Sequence, residues 1–169
     1  VPIVDENRIL AHAGLKQLNH THRQGLLALI EQSKKRRPLN IQDIVFGLAP
    51  MINAAGRLAD AELAVKLLLA RKRNVAQYCV NMLEMRNNAR REFDQRIAEE
   101  AEAMLAADEA IQQQKSIVLY QPHWHRGVIG IVASRISERH HKPTIILTKS
   151  EGKVVGSARS VGEFDIYEA

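Results

Sequence analysis

From Asn74 to about Glu109 the chain runs without a single glycine or proline. A stretch this long, rich in good helix formers, predicts one amphipathic helix roughly 50 Å long at 1.5 Å per residue. Val75, Cys79, Met82, Arg86, Ala89, Phe93, Ile97, Ala101 and Met104 recur at helical spacing and form its expected inward stripe. The stripe is too thin, and too polar at Arg86, for a coiled coil. Such a helix outruns one small core, so it is expected to bridge two parts, residues 1–73 and 110–169. Cys79 on its apolar side reads as a core thiol. It is the only cysteine, so no intramolecular disulfide forms, which fits a reducing, cytoplasmic compartment.

The part before the bridge reads as helical. Asp5 to Gln17 is one expected helix, with Ile9, Leu10, Ala13 and Gln17 inward; Arg23 to Ser33 is a second, with Leu26, Leu29 and Ile30 inward. Lys34-Lys35-Arg36-Arg37-Pro38 ends it as a solvated basic loop. Asn40 is placed to cap a helix beginning at Ile41, and Pro50 is expected to interrupt it. Asn53 to Arg57 then reads as a small-residue turn. Asp60 is placed to cap a helix carrying Leu63, Leu67 and Leu68. Arg57 is either a surface residue or a phosphate ligand, and spacing does not choose between them.

The part after the bridge reads as strand, helix, strand, strand: Ile117–Tyr120, Gly127 to about His140, Thr144–Leu147 and Val154-Val155. That is an α/β pattern, whose ligand sites fall at strand ends and helix starts. Val128, Ile131, Val132 and Ile136 would face the sheet. Gly130, Ser134 and Ser137 form a second stripe of small residues. A helical glycine costs about 1 kcal/mol relative to alanine, so something packs close to Gly130: either the sheet itself or a substrate backbone. Gly156-Ser157-Ala158-Arg159-Ser160 offers phosphate chemistry, since hydroxyls donate and a guanidinium grips phosphate with parallel hydrogen bonds. Ser157 and Arg159 alternate, so on a strand they share a face. The same residues also suit a plain turn.

Charge sharpens this division. Residues 1–73 carry a net +6, residues 74–109 a net −4, residues 110–160 a net +6 and residues 161–169 a net −3, a total of +5. Two basic ends joined by an acidic connector suit a polyanion, or are ordinary solvated surface. No run approaches the roughly 20 apolar residues of a membrane helix, and no membrane partner is expected. The pairs His20/His22, His123/His125 and His140/His141 lack a nearby carboxylate, so no metal site is expected from this chain alone. The opening lacks an initiator methionine and the end, from Phe164, reads as a helix beginning; both are expected of a piece of a longer protein.

Trp124-His125-Arg126-Gly127-Val128-Ile129-Gly130-Ile131-Val132-Ala133-Ser134-Arg135, followed by Gly156-Ser157-Ala158-Arg159-Ser160, resembles the RecJ-type exonucleases of the DHH phosphoesterase family. Phe46-Gly47-Leu48-Ala49-Pro50, Asn53-Ala54-Ala55-Gly56-Arg57-Leu58 and the opening Val1-Pro2-Ile3 through Glu6-Asn7-Arg8 match further blocks, in order, over nearly the whole chain. The resemblance implies a 5′-to-3′ single-stranded-DNA exonuclease of repair and recombination that uses Mn2+ or Mg2+. It also implies a helical end of the DHH catalytic domain over residues 1–73, an interdomain helix over 74–109 and the start of the DHH-associated domain over 110–169. Single-stranded DNA is the implied partner, with other repair proteins possible.

The chain has no Asp-His-His and no Asp-x-Asp, so the implied metal ligands lie outside it. This piece is expected to bind no metal and to be inactive alone. By resemblance, Gly156, Ser157 and Arg159 hold the 5′ phosphate, Asn53 and Arg57 line the same cleft, and His125 sits near the scissile phosphate as a catalytic candidate. Many relatives carry arginine where this chain has Met51. Two alternatives compete: an oligonucleotide or cyclic-dinucleotide phosphodiesterase of the same superfamily, and a non-catalytic nucleic-acid-binding module.

Overall fold

The computed structural model describes residues 2–58, 61–162 and 164–168. They divide into two compact units, Val1–Asn88 and Ala89–Ala169. The expected cap at Asp60 lies outside the described residues.

The first unit is helical: α1 (Asp5–Asn19), α2 (Gln24–Gln32), the short α3 (Ile41–Asp43), α4 (Ala49–Leu58), α5 (Glu62–Leu69) and the first half of α6 (Arg73–Ala107). Leu29, Leu48, Met51, Leu67, Val80 and Leu83 centre its core. In α1 the expected inward face is wrong. Ile9 and Leu10 are each 70% exposed, and Leu15 and Leu18 pack on the core instead. Asn19 fixes that end of α1: its amide nitrogen donates to the Leu39 carbonyl (3.0 Å) and its amide oxygen accepts from Leu39 N–H (2.7 Å). Asn40 caps α3 as expected, in a reciprocal box with Asp43.

Pro50 does not interrupt the helix, contrary to the sequence reading. A π-turn over Ile44–Leu48 precedes it and α4 continues through it. A proline ring clashes with the carbonyl four residues back, here that of Phe46, and lacks an N–H to donate. The widened turn falls at that point and lets the helix run on. Asn53 to Arg57 is therefore helix rather than turn, held by Ala54 and Ala55, both fully buried.

α6 is the expected continuous helix of 35 residues, but its buried stripe is shifted. Ala76, Cys79, Val80, Leu83, Asn87, Asp94, Ile97, Ala98, Ala101 and Leu105 are buried, while Met82, Arg86, Phe93 and Met104 lie on the flanks. Two polar positions inside the stripe broke the apolar period. Asp94 is accommodated because Arg135 reaches it at 2.7 Å, a partner that periodicity does not reveal.

In the second unit, the rest of α6 and the short α7 (Glu109–Gln113) lead to β1 (Ile117–Tyr120), α8 (Ile129–His140), β2 (Thr144–Ser150) and β3 (Lys153–Arg159). The sheet order is β1-β2-β3. β1 pairs with β2 in parallel, with α8 as the crossover. β2 and β3 form a hairpin pairing Thr144 with Arg159 and Ile146 with Ser157. Its turn, Glu151-Gly152, has φ of 52° and 80°, as a two-residue hairpin turn of matching twist requires. α8 packs on β2 and β3, and its Val132, Ala133 and Ile136 are fully buried, as is Ile146 of β2. Val118, Tyr120 and Val154 project from the opposite face and are exposed. No helix among the described residues is long and apolar enough to cross a membrane.

The helix expected to begin at Phe164 does not form among the described residues. Phe164 makes an antiparallel bridge with Val161. Ser160 Oγ accepts from Ile166 N–H (3.0 Å) and Asp165 Oδ1 from Tyr167 N–H (2.8 Å). These side chains capture the backbone donors a helix would otherwise order, and a turn results.

Candidate phosphate-binding site

Arg159, at the end of β3, lies against the first turn of α8. Its Nε donates to Ser134 Oγ (2.7 Å), Nη1 to Ser157 Oγ (3.0 Å) and to the Ala158 carbonyl (2.6 Å), and Nη2 to the Gly130 carbonyl (3.0 Å). Every one of these acceptors is neutral, and among the described residues no carboxylate pairs with it. A guanidinium has five N–H donors. Four are used to fix its plane, and no acid among the described residues offsets its charge. Ser157 shares its face, as strand alternation predicts.

The stripe of small residues on α8 now has a cause. A Cβ on Gly130 would lie 3.0 Å from Ser157 Oγ and 3.1 Å from Arg159 Nη2. The close neighbour is this chain's own β3, so the sheet-packing reading of Gly130 holds, with Arg159 as the group that needs the room. Gly156 also has a packing cause: a Cβ there would lie 2.5 Å from Leu147 Cδ2 and 3.0 Å from the Ile146 carbonyl oxygen. Its bareness lets β3 seat on β2.

His125 stands in the loop that enters α8. Its carbonyl accepts from Val128 N–H (2.9 Å) and Ile129 N–H (3.2 Å), and its Nδ1 accepts from Gly127 N–H (3.1 Å). Its ring rests on Phe93 of α6 at 5.3 Å between centroids, with the Arg96 guanidinium 5.0 Å from the centre of the Phe93 ring. Glu100 of α6 anchors the same loop, accepting from Trp124 Nε1 (2.8 Å) and contacting His123 Nε2 (2.7 Å). The indole N–H, then His123, hold the Glu100 carboxyl below the ordinary glutamate range. Thr148 Oγ1 donates to the Trp124 carbonyl from the sheet side (2.7 Å). Glu100 and Ser134 were not singled out as site residues; their signal was an acid on α6 and a serine one turn after Gly130.

Asn53 and Arg57 belong to the first unit, four residues apart on the exposed side of α4. Among the described residues nothing lies within 4 Å of a Cβ built on Gly56 between them, so that glycine answers no crowding from them. Met51 is buried in the core of that unit. Among the described residues no three His, Cys, Asp or Glu side chains are grouped to hold a metal ion. His123 and His140 pair with Glu100 and Glu102 instead.

Comparison with known proteins agrees with this architecture. Residues 113–169 match the DHHA1 domain. The chain is 38% identical over 166 residues to the single-stranded-DNA-specific exonuclease RecJ of Haemophilus influenzae, covering 95% of this chain and 29% of that protein. The crystal structure of Thermus thermophilus RecJ in complex with Mg2+ superposes with a TM-score of 0.85 at 32% identity, over 99% of this chain and 26% of that one. The Mn2+ complex of the same protein gives 0.85 at 33% identity, over 99% of this chain and 24% of that one. The chain thus spans under a third of the length of the relatives it matches. Along that span, in sequence and in fold, the chain is similar to RecJ, and its residues 113–169 match the DHHA1 domain.

Proposed function

We propose that this chain is the substrate-holding segment of a 5′-to-3′ single-stranded-DNA exonuclease, and that Arg159 with Ser157 receives the 5′-terminal phosphate. The observation that carries this reading is the Arg159 guanidinium, fixed by four neutral hydrogen bonds, facing Ser157 and paired with no carboxylate among the described residues. A cation preorganised in this way gains an anion without first losing an ion-pair partner. In this reading residues 1–73 close the DHH catalytic domain, 74–109 link it, and 110–169 open the DHH-associated domain. Asn53 and Arg57 add backbone contacts, His125 stands near the scissile phosphate, and Gly156 keeps the strand close enough to present Ser157.

Relatives crystallised with Mg2+ and Mn2+ support metal-dependent hydrolysis in the intact protein. The donor set described here does not fit such ions, and Arg159 and Ser157 orient a phosphate without activating water. A role in DNA repair in the cytoplasm, with other repair proteins as partners, completes the proposal.

The test uses intact nuclease carrying this segment. Arg159→Ala should slow degradation of 5′-phosphorylated strands about ten- to a hundredfold, the worth of a charge-assisted hydrogen bond, and of 5′-hydroxyl strands much less. Arg159→Lys should restore part of the difference, because an ammonium lacks the planar fork. Equal slowing of both substrates in a folded variant would make Arg159 a general cation and remove the end-recognition role.

A further inference from the structure

We infer that Ser134 is a positioning residue for end recognition: its hydroxyl locks the Arg159 guanidinium onto α8 in the orientation that a terminal phosphate meets. The inference rests on the reading of Arg159 above and names a residue that acts through it.

Ser134 makes two hydrogen bonds with one oxygen. Its Oγ donates to the Gly130 carbonyl one turn back (3.1 Å) and accepts from Arg159 Nε (2.7 Å). A helical serine often bonds the carbonyl four residues back, so the first contact alone would be local. Here it gives the hydroxyl a direction. With its single hydrogen committed to Gly130, the oxygen has only lone pairs to offer, and Arg159 Nε, which can only donate, takes one. Arg159 Nη2 reaches the same Gly130 carbonyl at 3.0 Å. The three bonds close a ring between β3 and α8, and bonds linked in this way polarise one another.

The other anchors of the guanidinium differ in kind. Nη1 is held by Ser157 Oγ and the Ala158 carbonyl, both on the strand of Arg159 itself. Ser134 and Gly130 lie 25 and 29 positions away, and among the described residues these two tie the guanidinium to a second element. Of the two, Ser134 alone contributes a side chain. Without it Arg159 keeps its charge, but each incoming phosphate must order the cation again, which weakens binding without altering the chemistry.

Ser134→Ala removes the hydroxyl at a half-buried position and places a better helix former in α8. The fold should hold, with a melting temperature near wild type. In nitrogen-15 spectra of this chain, the Arg159 Nε–H signal, assigned by its loss in Arg159→Lys, should exchange slowly with solvent in wild type and much faster in Ser134→Ala. Ser134→Thr keeps a hydroxyl and should restore slow exchange. In intact nuclease, Ser134→Ala should cut the preference for 5′-phosphorylated over 5′-hydroxyl strands roughly three- to tenfold. The loss should appear in KM for the phosphorylated strand, with kcat little changed, and Ser134→Thr should recover it. An Arg159 signal unmoved by Ser134→Ala overturns the inference. So does an unchanged preference in Ser134→Ala when Arg159→Ala abolishes it. If Arg159→Ala slows both substrates equally, the phosphate site itself fails, and the end-recognition role of Ser134 falls with it.

Discussion

Glu100 gives the second unit one contact whose strength depends on an ionised carboxyl. Its carboxyl is held below the ordinary glutamate value of 4.5 by the Trp124 N–H first and His123 next, with Arg96 adding a smaller attraction. A carboxyl depressed by folding contributes stability that is fully present above its unfolded value and is lost as pH falls through the folded one. Below about pH 4.5 the loop entering α8 should therefore loosen. Urea midpoints followed by circular dichroism, at neutral pH and at about pH 3.5, should fall less on acidification in Glu100→Gln than in wild type. Parallel losses in the two proteins would show that the acid response lies elsewhere. At this scale the sequence was legible where chemistry is local. The shared face of Ser157 and Arg159 follows from strand alternation, and the cap at Asn40 from its position before Ile41. Glu100 was hidden because its partners lie 23 and 24 positions away.

At the scale of elements, α8 and β3 are matched surfaces, and Gly130 is where they meet. Alanine there would raise helix propensity by about 1 kcal/mol, yet its methyl carbon would sit 3.0–3.1 Å from Ser157 Oγ and Arg159 Nη2. Both neighbours are ends of side chains that can shift, so the fold should tolerate the change. Gly130→Ala should leave the melting temperature near wild type and reduce the preference for 5′-phosphorylated over 5′-hydroxyl strands in intact nuclease. An unchanged preference would mean that the guanidinium position is not tuned by this helix. Elements themselves were readable from periodicity, as β1 and α8 show. Pro50 misled because a π-turn one turn earlier absorbed the clash, and α6's face was misread because Asn87 and Asp94 are buried. Gly25 gave no warning at all: a Cβ on it would meet the Leu67 carbonyl oxygen at 1.9 Å, a contact between α2 and α5 that no local pattern announces.

For the whole molecule, α6 contributes to both compact units, with Ala76, Cys79, Val80 and Leu83 in the core of the first and Ile97, Ala101 and Leu105 buried in the second. In the function proposed above, the side chains described here bind and orient. Incubated with 5′-labelled single-stranded DNA and Mn2+ or Mg2+, this chain should release no mononucleotides. Metal-dependent release that co-purifies with it would contradict that expectation. The two-part plan was legible from one uninterrupted stretch and from the charge of its flanks, whereas the joint at Asn88 and Ala89 falls inside a helix and leaves no punctuation in the sequence.

Trp124 gives the molecule an optical property of its own. It is the only tryptophan in the chain, it is 2% exposed, and its indole N–H is bound to Glu100 beside the His125 loop. Ultraviolet emission excited at the red edge of protein absorption therefore comes from one known position, the hinge of backbone that leads into α8. Protonating Glu100 alters the polarity around that single emitter, so the chain reports that event without a label.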